Sequence, residues 1–339
     1  MSSLSRGART RSRVCIDIGP NSIAGAYVAY PRERPPVLCY DKRVPVIARP
    51  GETSHAALVR ALDILGEALI REGAPALAQT TGSGSIDEIL VSIDSPWEST
   101  VVRTEEVGQD TLFTLTKRMV TGILARGHAE KPVDPAYRVE EHVVDIRLNG
   151  YQTKNPYGKR ARRASLIILT SSIDTALAGA VESTLARYFH ASEAVYISGP
   201  SLRFQSLRKA FIHERDLLII DTVGQGVTLS LVRSGTLVVV TEAFAYVDTT
   251  TFVAAVLQGL GEITKAYPLP RTLLLLAGEE AAPSLVAGLG STALGALWLS
   301  DKPPRVISVS GTQLPPVTIA PLSLPDIRLM LMAHYQEGP

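Results

Sequence analysis

Cysteine is nearly absent: Cys15 and Cys39 are the two thiols in 339 residues. Two cysteines cannot build a disulfide framework or a cysteine-rich zinc site. Each sits in an apolar run and reads as a buried free thiol, which agrees with a reducing compartment. Aromatic residues make up 6% of the chain, lean for the stacking platforms of single-strand binding. An excess of one charge is also missing. Lys and Arg total 34 and Asp and Glu 33, for a net charge of +1. No global field therefore draws the chain to nucleic acid.

Other absences narrow the chemistry further. His55, His128, His142, His190, His213 and His334 form no close metal-ligand pair. No Walker A sequence, G-x-S-x-G elbow or paired-acid motif occurs. Residues 281–300 are uncharged and about a bilayer span long, but Pro283, Gly288, Gly290 and Gly295 interrupt them. A buried helix plus a loop is the reading. Arg6, Arg9, Arg11 and Arg13 open the chain with no apolar segment behind them. That pattern is a disordered basic tail over residues 1–13, not a secretory signal.

What is present is ordinary globular material: 45% hydrophobic, 20% charged, with 26 Gly and 22 Pro. The length suits about two domains. Residues 14–17, 23–30 and 37–46 read as a strand meander, and 55–71 as an amphipathic helix with Leu58, Leu62, Leu65 and Leu69 on one face. A polar loop is expected at 79–85 and a buried strand at 89–93. Trp97, just beyond, reads as packing. A helix is expected at 111–126, with strands at 140–148 and 164–170. The run Lys154, Lys159, Arg160, Arg162 and Arg163 falls in the loop between those strands. One helix with a few strands makes a small α+β module set into a larger fold. Helices at 174–189, 252–267 and 326–335 follow, with strands at 217–221, 227–232, 236–241 and 273–276.

Two distant segments echo one another. Val14-Cys15-Ile16-Asp17-Ile18-Gly19-Pro20-Asn21-Ser22 heads the first half. Leu218-Ile219-Ile220-Asp221-Thr222-Val223-Gly224-Gln225-Gly226-Val227-Thr228 heads the second. Each is an apolar strand, an Asp, a glycine turn, a small hydroxyl residue and a further strand. A unit repeated at so large an offset indicates a duplicated, two-lobed protein. Glycines let backbone N–H groups approach a phosphate closely. An Asp beside phosphate makes sense when hydrated Mg²⁺ lies between them.

On these residues the sequence resembles the actin-like ATPases. Asp17, Gly19, Asn21 and Ser22 look like the first phosphate motif; Asp221, Gly224, Gln225, Gly226 and Thr228 look like the second. Residues 274–278, ending at Gly278, look like the approach to the adenosine motif. Within that superfamily the likeness is to the bacterial FtsA and PilM proteins. Val143-Val144-Asp145 through Asn155-Pro156-Tyr157-Gly158 is similar to the signature of the FtsA insert. The resemblance implies an α/β, two-lobed actin-like fold (a duplicated ribonuclease H-like unit) with a small inserted α+β subdomain. Its expected divisions are a tail at 1–13, the first lobe at 14–104, the insert at 105–171, and the remainder at 172–339 with a reduced outer subdomain.

The resemblance further implies ATP and Mg²⁺ as ligands, with Asp17 and Asp221 reaching the metal through water and Asp221 as the catalytic candidate. It implies a cytoplasmic scaffold that couples nucleotide state to assembly of a cell-division or type IV pilus machine. Such a scaffold would sit at the inner face of the membrane through a membrane-anchored partner, with self-association and no nucleic acid. The chain departs from the pattern at Thr222-Val223 and at Glu279-Glu280, where glycines are usual, and at Ser230, near the place of a second acid. These departures argue against efficient hydrolysis. A small-molecule kinase and a pseudo-ATPase that binds no nucleotide are the alternatives.

Overall fold

The computed structural model describes residues 10–130, 137–153, 155–190, 194–222, 226–243, 246–278, 280–292, 294–298, 304–321, 323 and 326–335. The apolar run from Val14 lies in β1 (Arg11–Ile18), which is buried from Ser12 onward; residues 11–13, expected in the disordered tail, are strand because Arg13 is paired by Glu88 and Tyr335 O. It turns tightly, with Gly19 N donating to Ser22 O at 3.0 Å, into antiparallel β2 (Ser22–Tyr30) and then β3 (Val37–Pro45). Helix α1 (Ser54–Ala68) starts where the Thr53 hydroxyl accepts from Ala56 N at 3.2 Å. Leu58, Leu62 and Leu65 face the sheet. The helical path does not stop at 71. A π-helical stretch, Leu69–Gly73, leads into α2 (Ala74–Thr81), so residues 79–81 are helix and not loop. Pro75 in its first turn and buried Leu77 explain that extension. The chain then forms β4 (Glu88–Ile93), parallel to β1.

The inserted module begins with β5 (Glu98–Thr114), a strand that the sequence reading missed. Its polar residues and its position on a sheet edge hide it from hydrophobic periodicity. It claims residues 111–114, so α3 (Lys117–Glu130) starts later than expected, with Thr116 Oγ1 accepting from Met119 N at 3.2 Å. Strands β6 (Tyr137–Leu148), β7 (Tyr151–Gln152) and β8 (Arg160–Ile173) complete an antiparallel sheet in the order β5-β8-β6-β7. Arg160, Arg162 and Arg163 lie in β8, not in a loop; Lys154 falls outside the described residues. One face of this sheet packs Ile146, Leu166 and Ile168 against Val120 and Ile123 of α3. Val102, Val144 and Ile167 pack instead into the core of the second lobe.

Helix α4 (Thr175–Phe189), capped by Asp174, leads to β9 (Val195–Ser198) and α5 (Gly199–Ala210). The second lobe comprises β10 (Leu217–Asp221), β11 (Val227–Arg233), β12 (Thr236–Ala243), α6 (Thr249–Thr264), β13 (Thr272–Leu276), α7 (Ala282–Ser291) and β14 (Arg305–Ser308). Strand β15 (Thr318–Ile319) returns to the first sheet, and α8 (Ile327–His334) follows. The first sheet runs β15-β3-β2-β1-β4-β9 and the second β12-β11-β10-β13-β14. In both, three antiparallel strands are followed by two parallel ones. The duplication read from the two turns is thus a duplication of sheet topology. Leu202, Phe204 and Leu207 of α5 and Leu329 to Ala333 of α8 fill the core that joins the two sheets. Among the described residues no helix is long and apolar enough to cross a membrane. Cys15 and Cys39 are buried free thiols, and Trp97 packs on the first-lobe core.

Candidate functional site

Parallel strands buried on both faces carry apolar residues to their ends, and three of them deliver an acid to one cleft. Asp17 is the penultimate residue of β1, Asp94 follows β4, and Asp221 ends β10; they are 1%, 2% and 2% exposed. Three like charges in so dry a place require counter-charge. Arginines supply it. Arg203 of α5 donates from Nη1 to Asp94 Oδ1 at 2.8 Å and from Nη2 to Asp94 Oδ2 at 2.7 Å. Its Nε lies against Asp221 Oδ2. Arg328 of α8 donates from Nη2 to Thr222 O at 2.8 Å and to Asp221 Oδ1 at 3.4 Å.

Arg43 of β3 closes the other side. It donates to Asp326 Oδ2 from Nη2 at 2.6 Å and from Nε at 3.0 Å, and to Ser22 Oγ from Nη1 at 2.7 Å. Its Nη2 stands 3.6 Å from Asp17 Oδ2. Gly199 makes this close approach of side chains to backbone feasible. A Cβ at that position would overlap both the Asp94 carboxylate and the Arg203 guanidinium.

The electrostatics follow from burial and pairing. Burial pushes the Asp17 carboxyl up and repulsion from Asp94 adds to it, against the pull of Arg328, Arg203 and Arg43. Burial opposes the charge on Arg203, but Asp221 and Asp94 outweigh it and hold the guanidinium above its ordinary value. Arg328 is raised in the same way: burial works against it and Asp221 overcomes that. Asp326 is held below its usual range; burial opposes this, and Arg43 decides it. Beside the cleft, Glu98 of β5 is pushed up to about 8 by burial and by Asp94, Glu242 and Glu140, although Thr100 donates to it.

The expected site residues are brought together in part. Asp17 and Asp221 meet across the cleft, both facing the Arg203–Arg328 pair. Thr228 is the register partner of Asp221 on β11, and Gly278 lies just past β13, whose Leu276 is also paired with Asp221. Gly19 makes the first turn, Asn21 O accepts from Val46 N at 2.8 Å, and the Ser22 hydroxyl is taken by Arg43. Gly226 precedes β11. Gly224 and Gln225 lie outside the described residues, as does Glu279. Ser230 is buried within β11.

A hydrated Mg²⁺ and a polyphosphate need carboxylate oxygens and a hydroxyl free to receive them. Asp221 and Ser22 are instead engaged by guanidinium groups, and Asp17 has Arg43 beside it. Among the described residues no group of three or more His, Cys, Asp or Glu side chains is arranged to hold a metal ion. Paired in this way, Asp221 and Ser22 do not fit the metal–nucleotide pair that the turns imply, whereas buried Asp17 Oδ2 has no hydrogen-bond partner among the described residues. Arg43, Arg203, Arg328, Asp94 and Asp326 were missed in the sequence reading. Asp94 carried the same signal as Asp17, an acid just after an apolar strand. Arg203 and Arg328 each stand between apolar neighbours in a helix, Leu202 and Phe204 for one and Ile327 and Leu329 for the other.

No protein-family model matches the sequence, and no curated protein matches it. Solved structures match by fold. A Bacteroides thetaiotaomicron protein described as having an actin-like ATPase fold and unknown function aligns over 99% of this chain and 100% of its own, at 12% identity and a TM-score of 0.47. The PilM–PilN type IV pilus biogenesis complex aligns over 91% of this chain and 90% of that one, at 13% identity and a TM-score of 0.51. The cytoplasmic domain of EpsL, an inner-membrane component of the Vibrio cholerae type II secretion system, aligns over 95% and 92%, at 8% identity and a TM-score of 0.40. Identities this low speak to fold alone. With its duplicated sheets and cleft between them, the chain has the two-lobed actin-like ATPase fold.

Proposed function

We propose that the chain is an actin-like assembly scaffold, docking to a membrane-anchored partner of a pilus- or secretion-type machine and working without binding or turning over nucleotide. One observation carries this reading. Where an ATPase of this architecture would hold metal and phosphates, buried Arg203 and half-buried Arg328 and Arg43 neutralise Asp94, Asp221 and Asp326 and flank Asp17. A nucleotide would have to displace paired charges from a dry cleft, and breaking such pairs is costly. The fold likeness to PilM in its complex with PilN supports the kind of partner. A small-molecule kinase needs a carboxylate free to take a proton from its substrate, and arginine pairing of Asp94 and Asp221 argues against that role.

The test is calorimetry or thermal shift of the purified chain with millimolar Mg-ATP, alongside a phosphate-release assay. No shift in Tm and no phosphate above blank are expected. Any ligand that binds the native state alone must raise Tm, so a rise of several degrees overturns nucleotide independence. Transfer of phosphate to a sugar or acetate replaces the scaffold with the kinase.

A further inference from the structure

The strand polarity that gathers aspartates at one end of both sheets gathers strand starts at the other. Register sets Arg11 opposite Tyr30 in the first sheet, and Leu217 beside Thr272 and Thr272 beside Arg305 in the second. The two starts share one end of the molecule. There α5 finishes, with Lys209 Nζ donating to His334 O at 3.1 Å, and Arg13 donates to Tyr335 O at 2.7 Å. Chain from both lobes therefore meets opposite the cleft.

Charge at this end is one-sided. Arg32, Arg34, Arg208, Lys209, Arg215 and Arg271 are all exposed. None is paired with a carboxylate among the described residues; Arg215 and Lys209, for example, donate to the carbonyls of Ser234 and His334. The acids here are mostly spoken for. Glu88 takes Arg11 and Arg13, Glu214 takes Arg305, and Asp216 accepts from Ser234 N with Arg233 beside it. Glu33, between Arg32 and Arg34, is the acid of the β2–β3 turn. The whole chain carries a net charge of +1, so this local excess of cations is not a property of the composition as a whole. Within the same surface, Ile212 is 71% exposed in the turn from α5 to β10. Arg215 approaches Gln152 of the insert at 3.5 Å, so Tyr151, 78% exposed, borders it.

We propose that this end docks directly on an anionic phospholipid surface, the basic side chains meeting headgroup phosphates while Ile212 and Tyr151 enter the headgroup layer. Unpaired cations around an exposed aliphatic and an exposed tyrosine are the chemistry of a membrane interface. A nucleic-acid backbone offers nothing to an exposed isoleucine. An acidic peptide would be met by one groove, whereas these groups spread over turns of both lobes and the insert. The contact is separate from any protein partner, and its test involves neither nucleotide nor partner.

The full chain is floated with vesicles of phosphatidylcholine alone or mixed with an equal part of phosphatidylglycerol, at low and high salt. Binding is expected to the anionic vesicles only, and to vanish at high salt. Each basic residue near such a surface contributes about fivefold, so R32E/R34E/R208E/R271E weakens partitioning by well over tenfold. I212D weakens it too, and R118E/R126E on α3 leaves it as in wild type. Should the fourfold variant fail to fold, R32Q/R34Q, confined to one exposed turn, still lowers partitioning by about 25-fold. Equal binding to neutral vesicles, no binding to anionic ones, or an unchanged folded variant overturns the proposal. So does binding of polyglutamate or duplex DNA through these residues without vesicle binding, which would assign the surface to another partner.

Discussion

Arg203 holds two carboxylates at once, with 3% of its side chain exposed. Arg203→Met leaves Asp94 and Asp221 buried with one cation fewer. Removing one partner of such a pair costs about 3–5 kcal/mol, which denaturant unfolding at neutral pH will register. Adding Asp94→Asn to that variant recovers part of the loss, because the stranded charge goes with it. Glu98 sets a pH dependence of its own. Its folded value of about 8 lies above the 4.5 of an unperturbed glutamate, so the native state keeps a proton that the unfolded chain releases. That contribution is complete below pH 4.5 and is lost as pH rises through 8. Stability should decline across this window in wild type and stay flatter in Glu98→Gln, with a difference of at most about 5 kcal/mol above pH 8. Urea midpoints measured at several pH values check it.

Short elements here depend on what they touch. Helix α8 has eight residues, too few to be stable alone in water. Asp326 caps it, accepting from Arg328 N at 3.0 Å, and Tyr30, Ser206, Lys209 and Arg13 donate to carbonyls at its end. The insert is secured differently. Its sheet has two packing faces, one on α3 and one on the second lobe, and Ile167 belongs to the latter. Ile167→Ala removes buried methyl groups from that seam and costs about 2–5 kcal/mol. Proteolysis in β5 or β6 should accelerate accordingly, while the Arg203 cluster, on other elements, stays intact.

For the molecule as a whole, one core and one ion-pair lattice tie the lobes together. Apolar residues of α5 and α8 lie between the sheets, and the same two helices send Arg203 and Arg328 into the cleft. The lobes are therefore joined through the chain's own side chains. The radius of gyration measured by small-angle scattering should be the same with and without Mg-ATP. A contraction on adding nucleotide would mean that the lattice opens and re-forms around a ligand.

Much of this architecture was legible from residue order. Buried parallel strands are continuous apolar runs, and a following acid marks their ends, so Asp17 and Asp221 stood out and predicted the paired lobes. Amphipathic α1 and the buried cysteines followed from local pattern. Polar edge strand β5 did not, because an exposed edge leaves no apolar period to read. Nor did the composition of the cleft. Arg203 meets Asp94 from 109 residues away, and Arg328 meets Asp221 from 107, and pairs so distant in sequence leave no spacing in it. Local periodicity determined which segments are strands and helices and which turns repeat. Only the folding of α5 and α8 between the sheets decided that guanidinium groups fill the cleft, because burying an aspartate obliges some cation to accompany it, and which one depends on what the tertiary structure brings within reach.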